Sequence, residues 1–230
     1  MTAPIETLFA DESLLVLVKP AGLLAVPGRG EDKQDCLSRR AQALWPDALV
    51  VHRLDMATSG LVVMARGLAA QRALSRAFEQ RQVHKRYVAV VAGQLVNPEP
   101  DNGWCCINLP LVVDWVNRPR SKVCHDSGKP SVTHWRQAPL TQTPETPAQT
   151  HRQQTTHPPS TRLELEPITG RTHQLRVHLQ ALGHPILGDA LYASPEQHAC
   201  APRLLLHAET LQLPHPVSGE LLRFHSPCPF

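Results

Sequence analysis

The chain has 230 residues, 42% hydrophobic and 19% charged, with a net charge of +3 and a pI near 8.6, an ordinary globular composition with room for a sizeable core. No apolar run approaches the ~20 residues that span a bilayer, and the mild positive charge permits a nucleic-acid partner without requiring one. The six cysteines form no C-x-x-C pair and the thirteen histidines no H-E-x-x-H pattern, so no metal site is expected, and a cytoplasmic chain with reduced thiols is the simplest expectation.

Leu14 to Val18 is a short apolar run that ends in the turn residues Lys19-Pro20-Ala21-Gly22, as a strand followed by a turn does. A second short apolar piece, Leu23 to Val26, closes at Pro27-Gly28. Cys36 to Trp45 has Leu37, Ala41 and Leu44 at helical spacing and is stopped by Pro46. Val50 to Asp55, then Thr58-Ser59-Gly60, then Leu61 to Ala65 read as a charged loop between two apolar strands. Leu68 to Glu79 reads as a helix with an arginine-rich outer face, and Arg86 to Val91 as a β-branched strand carrying Tyr87. Leu109 to Val113 is a further strand candidate. Val132 to Trp135 and Thr161 to Leu165 read as an antiparallel pair. Between them Pro139 to Ser160 is a Thr, Gln and Pro-rich stretch that holds too little apolar surface to offset its ordering entropy, as expected of a flexible insertion. Thr172 to Leu182 reads as a helix ended by Gly183, followed by two short strands, Leu204 to Ala208 and Glu209 to Leu213. Strands and helices without regular βαβ units point to an α+β fold with a largely antiparallel sheet.

Basic residues gather in the first third, from Arg39 to Arg86, and again at Arg118, Arg120 and Lys122. On charge alone both groups read as solvated surface. Three short segments have more specific content. His52-Arg53-Leu54-Asp55-Met56-Ala57-Thr58-Ser59-Gly60 sets a carboxylate beside an arginine on a loop between strands, where catalytic groups tend to lie. By chemistry alone an ordinary strand-to-strand loop with an Arg–Asp surface pair is the favoured reading. Lys85-Arg86-Tyr87-Val88-Ala89 carries a strand tyrosine, ordinarily a packing residue. Gly170-Arg171-Thr172-His173-Gln174-Leu175-Arg176-Val177-His178 reads as a helix start with an exposed basic face.

As strings, these segments resemble the motifs H-R-L-D-x-x-T-S-G, K-x-Y-x-A and G-R-x-H-Q-L-R-V-H of the RluA family of pseudouridine synthases. Gly183-His184-Pro185-Ile186-Leu187-Gly188-Asp189 resembles a further family stretch, G-x-P-I-x-G-D, read as structural. Lys19 to Arg29, Asp114-Trp115 with Asn117 to Pro119, and Lys122 to Cys124 with Gly128 to Pro130 resemble the dual-specificity branch of the family, so the likeness covers nearly the whole chain. It implies an α+β pseudouridine-synthase fold with a central RNA-binding cleft, in a single catalytic domain over 1–230. No S4-type RNA-binding domain fits before Leu14, so RNA binding is expected from the catalytic domain itself. The Pro139–Ser160 insertion has no counterpart in the resemblance.

The resemblance implies isomerisation of uridine to pseudouridine in structured RNA, with 23S rRNA and tRNA as substrates. Asp55 is the implied catalytic carboxylate, Tyr87 the residue that stacks on the target base, and Arg176 the partner of Asp55. Arg53 is implied to enter the RNA stem where the uridine is extruded. His52, Thr58, Arg171 and His173 are expected among the RNA contacts, with Arg118, Arg120 and Lys122 on phosphates. The reaction needs no redox step or group transfer, so no cofactor is expected, and no obligate protein partner is evident. Asp55 could attack C1′ or take a proton from C2′, and the residues do not separate these routes. Alternatives are a sister enzyme with another uridine target, a non-catalytic RNA-binding module and a hydrolase that releases uracil.

Overall fold

The computed structural model describes residues 5–98, 103–138 and 159–230. Strands β1 (Glu6–Ala10) and β2 (Leu14–Lys19) open the chain, followed by helix α1 (Leu37–Leu44), β3 (Ala48–Val50), β4 (Ser59–Arg66), α2 (Gly67–Glu79) and β5 (His84–Ala92). Then come β6 (Cys105–Asn108), β7 (Leu111–Val113), β8 (Ser121–Val123), β9 (Val132–Gln137) and β10 (Ser160–Pro167). The last elements are α3 (Gln174–Ala181), α4 (Pro195–Ala199), β11 (Leu206–Pro214) and β12 (Leu221–His225).

Ten strands form one sheet in the order β1-β2-β4-β11-β5-β10-β9-β6, with β3 added beside β4 and β12 beside β11, while β7 and β8 form a separate hairpin. The β4–β11 pair is parallel and the other described pairs are antiparallel, the α+β arrangement expected from the sequence. The run Leu14 to Leu17 is apolar at every position because both faces of the sheet are covered. Leu15 and Leu17, with Val62 and Met64, pack on the face that takes Leu37 and Ala41 of α1 and Leu175 and Leu179 of α3. Leu14 and Val16, with Leu61 and Val63, pack on the other face against Ala70, Leu74 and Ala77 of α2. Those three residues recur at helical spacing, and Arg72 and Arg76 lie exposed on the outer side.

Three sequence expectations change. The two short strands expected at Leu204 to Leu213 are one strand, β11, with a bulge between Ala208 and Thr210 opposite β5. The extra residue at Glu209 shifts the buried alternation from Leu206 and Ala208 to Leu211 and Leu213, so a continuous strand reads as two. The helix expected from Thr172 starts at Gln174, because His173 takes a left-handed conformation at φ +57°. Ser160, taken as the end of the insertion, opens β10 and pairs with Ala92; residues 139–158 lie outside the described residues. The strands β1, β6, β8 and β12 and the helix α4 had no sequence signal strong enough to mark them.

The glycine of T-S-G has a physical explanation in the sheet. Gly60 is the second residue of β4, at φ +112°, and its register partner across the parallel pair is Ala208. A Cβ there would run into the Ala208 backbone. Gly60→Ala is therefore expected to cost at least ~2 kcal/mol, a fall in Tm of roughly 4 °C or more in a thermal melt. An unchanged Tm would mean that β4 and β11 are not held this closely.

Candidate active site

The loop between β3 and β4 carries Asp55 at the floor of a cleft of about 660 Å³. The cleft is lined by His52, Arg53, Asp55, Thr58, Tyr87, Arg171, His173 and Arg176 among others, so the three sequence segments converge on one cavity. The β7–β8 hairpin with Arg118, Arg120 and Lys122 does not line it. On that hairpin Arg118 stacks on Trp115, which is 70% exposed, with its guanidinium 3.1 Å from the ring centroid. Lys122 Nζ lies 3.4 Å from Asp114 Oδ1.

The loop that carries Asp55 is held from beneath. The Thr58 N–H donates to the Asp55 carbonyl at 3.1 Å, closing a turn around the carboxylate. Lys19 is fully buried, and its ammonium donates to the carbonyls of Pro20 and Leu23 at 2.8 Å and of Met56 at 3.0 Å. The Gly22 N–H donates to the same Met56 carbonyl. The K-P-x-G turn thus clamps the residue after Asp55. Burial pushes the Lys19 ammonium down to about 8, against the pull of the Asp55 charge.

Arg176 sits on α3 and is only 4% exposed. This overturns the exposed basic face read from the residues alone. Its Nε and Nη2 donate to Asp189 Oδ2 and Oδ1 at 2.7 and 2.6 Å, a bidentate pair. Its Nη1 reaches Asp55 Oδ2 at 3.4 Å. Burial works against the guanidinium charge, but Asp189 and then Asp55 hold its pKa above the usual arginine value. Asp189, fully buried, also takes the backbone N–H groups of Leu191 and Tyr192 on Oδ1. The arginine is thus fixed by Asp189 and presents its remaining edge to Asp55. Asp55 itself is 26% exposed, and its Oδ1 has no protein partner among the described residues. One carboxylate oxygen is oriented and the other is open to the cleft.

His173 completes this wall. Its Nε2 is 3.8 Å from Asp55 Oδ2, and its Nδ1 is 2.7 Å from the Tyr192 hydroxyl. That hydroxyl accepts the Ser121 N–H at 2.7 Å. Burial lowers the His173 pKa, opposed by the Asp55 charge. Gln174 fixes the approach to α3: its Oε1 accepts from Thr169 Oγ1 and the Arg171 N–H, and its Nε2 donates to the Val132 carbonyl and Thr133 Oγ1.

Tyr87 comes from β5, pairing with Ala208 of β11 and Leu165 of β10. It is only 9% exposed, and its hydroxyl has no hydrogen-bond partner among the described residues. Burial and then the Asp55 charge raise its pKa well above the usual phenol value. It stands neutral at physiological pH, suited to stacking and hydrogen bonding rather than to taking a proton as phenolate.

The expected RNA contacts divide. Arg53 and Arg171 are exposed at the cleft and their side chains have no ion-pair partner among the described residues. Thr58 is 2% exposed, so it shapes the loop rather than meeting RNA. His52 is committed to the scaffold: its Nε2 accepts the Val63 N–H at 3.0 Å and its ring lies against Phe78. Burial, then the Lys85 charge, lowers its pKa to about 3 and keeps it neutral. His173 faces Asp55 more than open solvent. Sequence reasoning gave no role to Lys19 or Tyr192, and it read Asp189 as structural. The G-D pair of the quoted stretch and the lysine of K-P-x-G were the available signals, but neither string shows what its charge pairs with. Among the described residues no group of His, Cys, Asp or Glu is arranged to hold a metal ion, and no helix is long and apolar enough to cross a membrane.

A family model described as RNA pseudouridylate synthase matches residues 13–181. Curated relatives include the dual-specificity RNA pseudouridine synthase RluA of Escherichia coli strain K12, 48% identical over 223 residues that cover 97% of this chain and 93% of the relative. The Yersinia pestis protein of that name is 45% identical over 217 residues, covering 94% and 96%. Among solved structures, human RNA pseudouridylate synthase domain containing 1 matches with a TM-score of 0.75 at 26% identity, over 98% of this chain and 84% of that one. Through this family match, the identities to its relatives and the shared fold, the chain belongs to the RNA pseudouridylate synthase family and is a pseudouridine synthase, an RNA-modifying isomerase.

Proposed function

We propose that the protein isomerises uridine in two RNAs, a 23S rRNA stem-loop and the tRNA anticodon stem-loop, with Asp55 as the reacting carboxylate. The observation that carries the catalytic assignment is the half-free carboxylate: Oδ2 faces Arg176 while Oδ1 opens to the cleft. The dual target rests on the relatives that are named dual-specificity synthases and match nearly end to end.

The reaction breaks the C1′–N1 bond, turns the uracil and joins C1′ to C5, and the C5 proton leaves while N1 gains one. Asp55 serves either by attack at C1′ or by taking the C2′ proton, and each route directs Oδ1 at the ribose. Arg176 sets a positive charge beside the carboxylate and fixes the direction of Oδ2. Tyr87 holds the detached base by stacking, worth ~1–3 kcal/mol per base. Arg53 fills the space that the extruded uridine leaves in the stem, offsetting part of a flipping cost of a few kcal/mol. Arg118, Arg120 and Lys122 contact phosphates outside the cleft.

The test is carbodiimide primer-extension mapping on unmodified 23S rRNA and tRNA transcripts. Stops at one rRNA site and one anticodon-loop uridine are expected. Stops in only one RNA would overturn the dual target and keep the chemistry.

A further inference from the structure

Two residues among those described hold positive φ without being glycine, Arg81 at +59° and His173 at +57°, and both line the active cleft. Strained backbone positions concentrate at functional sites. His173 is accounted for by its approach to Asp55. Arg81 is not. It follows α2 in a Schellman turn: its N–H donates to the Phe78 carbonyl at 3.2 Å, and the Gln82 N–H donates to Ala77 at 2.9 Å. Glycine favours this left-handed position, since it has no Cβ to strain. An arginine stands there instead, with its side chain exposed and no ion-pair or hydrogen-bond partner among the described residues.

Lys85 lies four residues on, in β5. It is half-buried, with Nζ 5.9 Å from the Phe78 ring centroid. It too has no hydrogen-bond or ion-pair partner among the described residues, and burial lowers its pKa. Glu166, the nearby acid of β10, is engaged by Arg86 at 2.5 Å. Glu79 lines the same end of the cleft but makes no ion pair with either cation, and His52 is neutral. An ammonium drawn out of water without a counter-ion is unfavourable on its own. Arg81 and Lys85 also line a side chamber of about 170 Å³ that adjoins the cleft between Phe78 and Ile168.

We propose that Arg81 and Lys85 form a phosphate-binding subsite at the α2 end of the cleft, taking an RNA backbone phosphate next to the extruded uridine. The proposal rests on reading the cleft as the uridine site. Holding a flipped nucleotide requires a grip on the backbone beside it, and a flexible ammonium paired with a planar guanidinium fork suits one phosphate. The phosphate would supply the counter-ion that Lys85 lacks.

The test measures binding without turnover. In an Asp55→Asn background, the affinity of an anticodon stem-loop transcript is followed by fluorescence anisotropy against salt, alone and with Arg81→Gly or Lys85→Met. Each added substitution is expected to weaken binding about tenfold and to reduce the slope of log K against log salt by about 1. Arg81→Gly is also expected to raise Tm by relieving the backbone, and Lys85→Met to leave Tm unchanged or higher. Weaker binding with a higher Tm is a combination that a purely structural role does not produce. A methylphosphonate at one of the two phosphates flanking the target uridine should weaken binding to the parent and cost the two variants little. Unchanged affinity and salt slope, or lost affinity accompanied by a lower Tm, would overturn the subsite. Pseudouridine formation by the unsubstituted enzyme on the same transcript is scored separately. Its absence beside intact subsite effects would sink the proposed function and leave the subsite standing.

Discussion

Asp55→Asn is expected to lower kcat by more than ~10⁴-fold, the scale of losing a reacting nucleophile or base, while the fold and RNA affinity persist. The amide keeps the shape of the side chain but neither attacks C1′ nor takes a proton at C2′. The stability side of this expectation follows from geometry. Asp55 is partly exposed, its contact with Arg176 is long at 3.4 Å, and Oδ1 has no partner among the described residues, so little native interaction is lost. Turnover on a stem-loop transcript, the anisotropy Kd and a thermal melt check the three parts. Residual activity above ~1% of wild type would mean that another group carries the chemistry.

Asp189→Asn is expected to behave in the opposite way, losing stability first. Its carboxylate is fully buried, forms both short bonds to Arg176 and caps two backbone N–H groups. The substitution leaves Arg176 almost buried without its main counter-charge and turns an amide NH₂ toward one guanidinium donor. Removing one partner of a buried pair costs about 3–5 kcal/mol, and for a chain of this size the melt should fall by roughly 10 °C. Catalysis should fall too, because Arg176 would turn toward Asp55 and close the open edge of that carboxylate. A Tm within 2 °C of wild type, the change produced by roughly 1 kcal/mol or less, would show that the Arg176–Asp189 pair is not the anchor described.

These two carboxylates also mark the limit of what the sequence discloses. Asp55 stands in a nine-residue string that matches a family motif at every fixed position, and the loop between apolar strands was legible from hydrophobic pattern alone. Asp189 stands in an equally recognisable string, yet its pairing with Arg176 runs from the loop between α3 and α4 back to α3, 13 residues away. Long-range pairing of buried charges leaves no periodic trace. The same holds for Lys19, whose three carbonyl partners are set by a turn and a distant loop. α2 was legible because Ala70, Leu74 and Ala77 keep one phase along its length, whereas the bulge at Glu209 changes phase in mid-strand and made β11 look divided. Arg118, Arg120 and Lys122 could be grouped by charge, but only the folded chain shows that they do not line the cleft. His52 accepts the Val63 N–H and the Thr58 N–H closes the turn at Asp55, contacts that a string does not distinguish from contact with substrate.

The most direct test of the central claim is the fate of the base itself, followed with RNA carrying tritium at C5 of uridine. Wild-type protein is expected to release tritium to water while the transcript keeps its bases and no free uracil appears, and Asp55→Asn is expected to release none. Free uracil in the supernatant, or tritium release that survives Asp55→Asn, would contradict isomerisation by this carboxylate.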